Sequence, residues 1–323
     1  MSIKSRIDRI DLRPFRFWFQ LAAFVFLVYG GHLAVDLGNS LPTFSCGYNS
    51  KGTAGVCYLL PLQHQMAQPW SRLFSPAGIA VLSGFGLFVL WFVVLNKAWC
   101  GYVCPLGTIQ DWITSIRKRM GIPYSNYSDD HFNKLKYIKY FLLLALIFIP
   151  LAIGGQFISH DWGVPFCKIC PARMIIPAFN GDFSQWTIDF SSTTKMALTA
   201  LGMFITGLFF AGSFIKKRFF CFFCPMSAFH FIFSKLSILK LKKDGSKCTV
   251  CGDCYRVCDM QIKPIADDIE SVDILQDDCI LCLKCVSACP EDGALKVDVL
   301  GKTVFEATRG GFSKRMGMEK NDD

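Results

Sequence analysis

The sequence predicts an all-α membrane section of four transmembrane helices, followed by a small α+β domain. Hydrophobic residues make up 52% of the 323 residues, and only 18% are charged. A typical soluble domain has about a quarter of its residues charged. From about residue 242 the composition becomes polar, acidic and rich in cysteine. We therefore predict a membrane domain over 1–241, a second domain over 242–300 and a tail over 301–323.

Four apolar stretches are long enough to cross a bilayer, which takes about 20 residues. Their approximate ranges are 17–37, 75–95, 140–158 and 196–215. Apart from Asp36, none contains Asp, Glu, Lys or Arg, whereas an amphipathic surface helix needs a charged face. The pattern is therefore typical of transmembrane helices.

The basic residues indicate how these helices are oriented. Lysine and arginine are frequent before the first stretch, between the second and third, and after the fourth. Since such residues mark the cytoplasmic side, both termini are predicted to be cytoplasmic, in a bacterial-type inner membrane. Loops 38–74 and 159–195 are predicted to lie outside. The net charge of +9 is explained by these topology signals, so we expect no nucleic-acid partner.

Eight of the sixteen cysteines form two runs with the spacing C-x2-C-x2-C-x3-C, which is typical of bacterial two-cluster ferredoxins. Three thiolates within seven residues can wrap one face of a cubane, and the fourth cysteine reaches the other cluster. The first predicted [4Fe–4S] site is Cys248, Cys251, Cys254 and Cys289, and the second is Cys279, Cys282, Cys285 and Cys258. The second domain is thus predicted to be ferredoxin-like.

Zinc is the alternative for these runs, because paired C-x2-C motifs also form zinc ribbons. Zinc needs two cysteine pairs and does not explain the x3 step to a fourth cysteine, so the clusters are favoured. The first run has Asp259 where a proline usually follows the fourth cysteine. This departure is expected to alter local packing or potential while leaving the ligand count intact.

A shorter cysteine–proline motif follows both the second and the fourth apolar stretch. It reads WCGYVCP from Trp99 and FCFFCP from Phe220, which suggests two similar helical hairpins. Its four thiols would converge at one depth: Cys100, Cys104, Cys221 and Cys224. We predict a third cluster or another redox metal there. Thiol pairs that are inert or redox-active are the alternative.

The last four cysteines lie in the two predicted outer loops: Cys46, Cys57, Cys167 and Cys170. Disulfides are one interpretation, since the outer compartment is oxidising. A cluster or other metal site is the second, and free thiols are the third. Because the two membrane faces are about 30 Å apart, electrons passing between the inner and outer groups would need an intermediate carrier such as a quinone.

Other cofactors find little support in the sequence. No C-x-x-C-H motif occurs, which excludes covalent c-type haem, and only His32 lies within a predicted helix. His32, His64, His160 and Asp36 are candidates to accept protons from a quinol. No nucleotide fingerprint or phosphate loop occurs, so flavin or nicotinamide chemistry would belong to a partner.

With these motifs the sequence resembles the NapH and NosR type of membrane ferredoxin, which includes the CcoG-like proteins. The resemblance covers nearly the whole chain, and it is strongest from Trp99 to Gly107 and in the two ferredoxin runs. The second juxtamembrane motif differs, since it reads C-x2-C-P rather than the C-x3-C-P usual in NapH. There is also no sign of the large periplasmic flavin-binding domain of NosR.

The resemblance implies electron transfer between the quinone pool and a redox partner complex, with a quinol dehydrogenase subunit as the corresponding enzyme. The expected partners are a reductase, a cytochrome or a soluble iron–sulfur protein. Two other functions fit the same motifs. One is a metal-centre maturation factor, similar to the CcoG-like metal reductases, and the other is a redox-sensing membrane regulator.

Overall fold

The computed structural model describes residues 12–33, 57–72 and 74–316. These residues form mainly helices, with three strands between residues 239 and 306. The membrane section contains α1 Leu12–Val28, α2 Leu59–Met66, α3 Pro76–Leu95, α4 Pro105–Arg119, α5 Asp129–Leu135, α6 Ile138–Gly154, α7 Pro165–Ile169, α8 Pro171–Phe179, α9 Thr193–Ile215 and α10 Pro225–Ser234. The rest contains β1 Leu239–Lys243, α11 Asp253–Arg256, α12 Pro264–Asp267, α13 Lys284–Ser287, β2 Leu295–Val299, β3 Lys302–Glu306 and α14 Arg309–Met316.

Three helical segments of the described chain are long and apolar enough to cross a membrane: Pro76–Leu95, Phe132–Gly154 and Thr193–Ile215. The first predicted span differs from its expected range, because α1 begins before residue 17 and has only 17 residues. It gives way to a 3-10 turn at Gly30–His32, where two glycines disfavour further α-helix. Three spans are thus confirmed by length and composition, and the fourth stays a prediction.

The described chain divides into two compact units. The first contains the described parts of Met1–Phe19, Trp91–Tyr102 and His230–Asp323, and the second contains those of Gln20–Leu90 and Val103–Phe229. The first unit therefore combines the carboxyl-terminal domain with two short segments from the membrane section. The predicted linear boundary at residue 242 stays a prediction.

A three-stranded antiparallel sheet in the order β1-β2-β3 organises the first unit. Leu241 pairs with Val297, and Val297 pairs with Phe305. These three side chains are buried, so one face of the sheet is an apolar core. On β1 and β2, Lys242 and Asp298 form an ion pair of 2.8 Å. The short helices and this sheet confirm a helical region followed by a region with a small sheet.

The core of the second unit is built from α1, α4, α8 and α9. Its buried residues are Phe24, Val28, Leu106, Ile109, Ala172, Ile175, Ile176 and Phe209. In α4, Leu106, Ile109 and Ile113 recur at the three- to four-residue spacing of one helix face, which explains why this helix packs on the core. The amide of Gln110 is also fully buried in this unit.

The predicted outer loop 159–195 is not an extended loop, because α7 and α8 pack against the middle of α9. A side chain at Gly202 would lie 2.5 Å from the carbonyl oxygen of Lys168, so glycine is required for this approach. One turn further, the Thr206 hydroxyl lies 3.3 Å from the sulfur of Met174. The segment therefore folds back along the spanning helix.

Candidate functional site

The four cysteines of the first predicted site lie around one cavity in the first unit. Cys248, Cys251, Cys254 and Cys289 all line it. The thiol of Cys289 is within electrostatic range of the other three, although it belongs to the other run. The structure thus brings together the four residues that the crossed assignment groups.

The second predicted site is assembled in the same way. The thiol of Cys285 is within electrostatic range of those of Cys282, Cys279 and Cys258, and Cys258 also interacts with Cys282. Cys285 further interacts with Cys254 of the first quartet. The two quartets are therefore neighbours, although their role as cluster ligands stays a prediction.

Both cysteine loops share an unusual backbone conformation. Val250 and Leu281, each just before the second cysteine of its run, have φ of 53° and 47°. Gly252 and Leu283, just after that cysteine, have φ of 79° and 60°. Left-handed conformations are rare for side chains of this kind and persist where the surroundings impose them, often at functional sites. Such turns aim backbone N–H groups inward, a geometry that suits an anionic group.

One of these N–H groups reaches a sulfur. The backbone N–H of Leu281 donates to Cys279 Sγ at 3.4 Å. Burial raises the pKa of the Cys258 and Cys279 thiols to about 12. Because a cluster is bound by thiolates, its binding at these cysteines would release protons. Soft thiolate donors in a buried, hydrogen-bonding loop fit an iron–sulfur cluster well.

Part of the first juxtamembrane motif packs on the second cysteine run. Gly101 approaches it so closely that an added Cβ would overlap the carbonyl oxygen of Ile280 and lie 3.5 Å from Cys282 Cα. The Tyr102 hydroxyl donates to the carbonyl oxygen of Cys282 at 3.2 Å. On the other side, Arg16 Nε donates to the carbonyl oxygen of Gly101 at 3.2 Å. The residues flanking Gly101 thus belong to the surroundings of the second quartet, which the sequence alone did not indicate.

Asp259, the residue that replaces the usual proline, has a structural role. Its carboxylate is only 4% exposed and forms ion pairs with Arg16 at 3.6 Å and with Lys284. Lys284 lies between Cys282 and Cys285, so this carboxylate connects the end of the first run to the second run and to α1. The expectation that Asp259 alters local packing is given a physical basis by these contacts.

Replacing Asp259 with asparagine is expected to destabilise the first unit by about 3 kcal/mol, because it removes the carboxylate that is paired with the buried guanidinium of Arg16. Thermal unfolding of the detergent-solubilised protein measures this effect. Asp253→Asn is the matched control, since its ion pair with Arg256 is at the surface and contributes at most about 1 kcal/mol. Equal losses in the two variants would contradict a structural role for Asp259.

The juxtamembrane quartet is divided between the units: Cys100 belongs to the first, and Cys104, Cys221 and Cys224 belong to the second. Within the second unit, the thiols of Cys104 and Cys221 are in electrostatic range. Gln110 holds the Cys221 segment, because its Nε2 lies 3.6 Å from Cys221 Sγ and its Oε1 accepts from the Phe220 N–H at 2.9 Å. A third cluster on this quartet stays a prediction.

Among the outer cysteines, Cys46 lies outside the described residues, as does Asp36. Cys57, Cys167 and Cys170 are described, and no disulfide joins any of the described cysteines. The thiol of Cys170 is within electrostatic range of Cys104, and both side chains pack on the same core. The juxtamembrane and outer cysteines were expected to be separated by the thickness of the bilayer. That expectation is wrong for Cys104 and Cys170.

Two 4Fe–4S family models match the chain. The 4Fe-4S binding domain matches residues 77–123 and again residues 198–244, and the 4Fe-4S dicluster domain matches residues 240–290. The first model thus covers both helix-plus-motif segments, as expected for an internal repeat. The second covers the two ferredoxin runs. No solved structure matches the chain.

Curated relatives agree with these models. The ferredoxin-type protein NapH of Haemophilus influenzae is 27% identical over 65% of this chain and 66% of its own length. The methylamine utilization ferredoxin-type protein MauN of Methylorubrum extorquens is 28% identical over 67% of this chain and 66% of its own. The putative electron transport protein YccM of Escherichia coli is 25% identical, but the match covers only 51% of that protein and 63% of this chain.

The apolar helices and these relatives indicate a membrane protein. The resemblance deduced from the cysteine motifs is confirmed, since the matches reach from the membrane section into the ferredoxin runs. The chain is homologous to the ferredoxin-type proteins NapH and MauN, to the putative electron transport protein YccM, and to the proteins NirI and FixG, and it carries matches to two 4Fe–4S family models.

Proposed function

We propose that this protein is a membrane-bound subunit that relays electrons between the quinone pool and a redox partner complex through two [4Fe–4S] clusters. The observation that carries the proposal is the grouping of eight cysteines into two adjacent quartets in one compact unit. Adjacent clusters pass electrons one at a time without making or breaking bonds. The names of YccM, an electron transport protein, and NapH, a ferredoxin-type protein, support the same function.

The surroundings of the two quartets suggest different roles. Cys279 and Cys285 are buried, and the Gly101–Tyr102 segment covers the loop that carries Cys282. In contrast, Cys251 is exposed, and the neighbouring Val250 side chain is 51% exposed. We therefore assign the second quartet to exchange with the membrane side and the first quartet to exchange with a soluble or peripheral partner.

Residues of this chain are expected to determine the reduction potentials of the two clusters. Burial and hydrogen bonds to sulfur are among the factors that fix cluster potentials. The Gly101–Tyr102 segment and the Leu281 N–H at Cys279 affect the second site, whereas Cys251 of the first site is exposed to solvent. The two sites are accordingly expected to differ in potential, which gives the relay a preferred direction.

Quinol is expected to reduce the clusters in membranes that contain the protein. The measurement is anaerobic bleaching of the visible cluster absorbance after addition of a reduced ubiquinone or menaquinone analogue. Cys285→Ser is the control, because it removes a ligand of the second quartet and is expected to slow reduction at least tenfold. No bleaching in the parent protein would contradict the quinol relay. If quinol has no effect but dithionite-reduced clusters are rapidly reoxidised by a divalent copper salt, which is thereby reduced to copper(I), a metal-centre maturation factor would be favoured instead.

A further inference from the structure

Three cysteines outside both family-model matches come together in the second unit. Cys57 directly precedes α2, Cys167 lies in α7, and Cys170 is the N-cap of α8. The thiol of Cys167 is within electrostatic range of both Cys57 and Cys170. Thiols from two segments of the chain thus lie within electrostatic range of one another, and neither family model covers them.

Close backbone packing fixes the segments that carry these thiols. On the α2 side, a side chain at Gly154 would lie 2.7 Å from the carbonyl oxygen of Met66 and 2.6 Å from that of Gln68. On the α7 side, Gly202 is in equally close contact with Lys168. Since both approaches require glycine, the convergence of the thiols results from tightly packed helices.

A buried amide is aimed at the same place. Gln63 is 1% exposed, and its Nε2 lies within donor distance of Cys167 Sγ, at 3.5 Å. Its Oε1 is buried and has no hydrogen-bond partner among the described residues. An unsatisfied buried acceptor costs about 1–3 kcal/mol. A cluster carries no hydrogen-bond donor, so a cluster would satisfy this oxygen only by taking it as an oxygen ligand to iron. Donors to cysteine sulfur are also a means by which proteins tune iron–sulfur clusters.

The charge around the thiols favours an anionic, sulfur-ligated group. Arg173 is within electrostatic range of Cys167, and its positive charge would offset that of the thiolates. Cys170 caps the N-terminus of α8, where the helix dipole favours negative charge. Thiolate-only donor sets select iron–sulfur clusters, zinc or copper(I). Cys167 and Cys170 are only partly exposed.

We propose that Cys57, Cys167 and Cys170 hold a further iron–sulfur cluster, with the Gln63 amide donating to the Cys167 sulfur. The choice of a redox cluster over zinc rests on the proposed electron-transfer function. Because Cys170 is in electrostatic range of Cys104 and shares its core, this cluster lies beside the first juxtamembrane motif. It carries one electron at a time between the segment predicted to face the outer side and that motif, with quinol as the source.

The test is the iron and acid-labile sulfide content of the full chain, purified anaerobically. Cys167→Ser is expected to lose about four irons, the content of one cubane, while the electron paramagnetic resonance signals of the ferredoxin clusters persist. Persistence of those signals reports that the first unit is folded, and an unchanged helical circular dichroism spectrum reports that the second unit is folded too. Met174→Leu, a substitution in the same packing layer without a thiol, is expected to keep all its iron.

A second variant tests the site without removing a ligand. Gln63→Leu is expected to keep the iron and to shift the midpoint potential of one cluster to more negative values, because a hydrogen bond to sulfur stabilises the reduced state. Gln65→Leu, on the same helix with its amide bonded to the Arg72 carbonyl, is expected to leave every potential unchanged.

Unchanged iron in Cys167→Ser would overturn this proposal, as would zinc or copper in place of iron or a disulfide among these cysteines in the purified protein. Unaltered potentials in Gln63→Leu would overturn the role of the amide. The failure of the proposed function looks different, because the ferredoxin signals would then be absent from the parent protein or unresponsive to quinol.

Discussion

Replacing Cys258 with serine is expected to remove the cluster of the second run, although Cys258 belongs to the first. Its thiol interacts with Cys282, and Cys285 interacts with it in turn. A thiolate lost from a cubane leaves one iron without its protein ligand, and the cluster becomes labile. We expect the variant to lose about four irons and one of the two ferredoxin signals in electron paramagnetic resonance.

The reciprocal variant is the control. Cys289→Ser is expected to remove the cluster of the first run, because Cys289 lies beside Cys248, Cys251 and Cys254. Each signal is assigned independently with Cys248→Ser and Cys279→Ser. If Cys258→Ser and Cys248→Ser abolish the same signal, each run holds its own cluster and the crossed arrangement is wrong.

The sequence was sufficient to group these eight cysteines because the information is local. A C-x2-C-x2-C run leaves the backbone few ways to wrap one cluster, and the x3 step directs the fourth cysteine away. The left-handed residues Val250 and Leu281 at equivalent positions show that both loops fold alike. The grouping of the eight cysteines could therefore be predicted from their spacing, whereas their role as cluster ligands stays a prediction.

The membrane section was predicted less completely, since hydropathy recognises only long apolar runs. The helices α7 and α8 have 5 and 9 residues, so they resemble a loop in such a profile. Their position along α9 depends on Gly202, and a single glycine within an apolar stretch does not reveal which backbone approaches it. The nearness of Cys170 to Cys104 follows from that packing and could not be deduced from the sequence.

Contacts between distant parts of the chain could not be predicted from the sequence either. Asp259 was recognised as a departure from proline, but its partner Arg16 lies near the other end of the chain. Ion pairs of this kind depend on the fold rather than on spacing. The same is true of Gly101, which separates Cys100 from Tyr102 and has no sequence signal that points to Ile280.

Replacing Gly101 with alanine is expected to disrupt the first unit around the second quartet. The new Cβ would overlap the carbonyl oxygen of Ile280. Because this oxygen belongs to the backbone, it cannot move aside as the end of a flexible side chain could. Hydrogen bonds from Arg16 to Gly101 and from Tyr102 to Cys282 hold the two segments together. Overpacking of this kind costs about 1–3 kcal/mol, which a lowered thermal unfolding midpoint would report.

Gly310→Ala is the matched control, because Gly310 lies in α14 of the same unit and a Cβ there would meet no atom within 4 Å. Its unfolding midpoint is expected to stay the same or rise slightly, since alanine is the better helix former. Equal destabilisation of the two variants would show that the Gly101 approach is not required for stability.

The Gly101→Ala variant also tests which of the two clusters accepts electrons from quinol first. Because Gly101 lies against the loop between Cys279 and Cys282, its displacement is expected to change the signal of the second cluster and leave that of the first unchanged. If electrons from quinol enter through the second cluster, bleaching slows for both clusters, although only one is perturbed. If quinol reduces the second cluster more slowly but reduces the first at the parental rate, electrons enter at the first quartet. The proposed order of the two sites is then reversed.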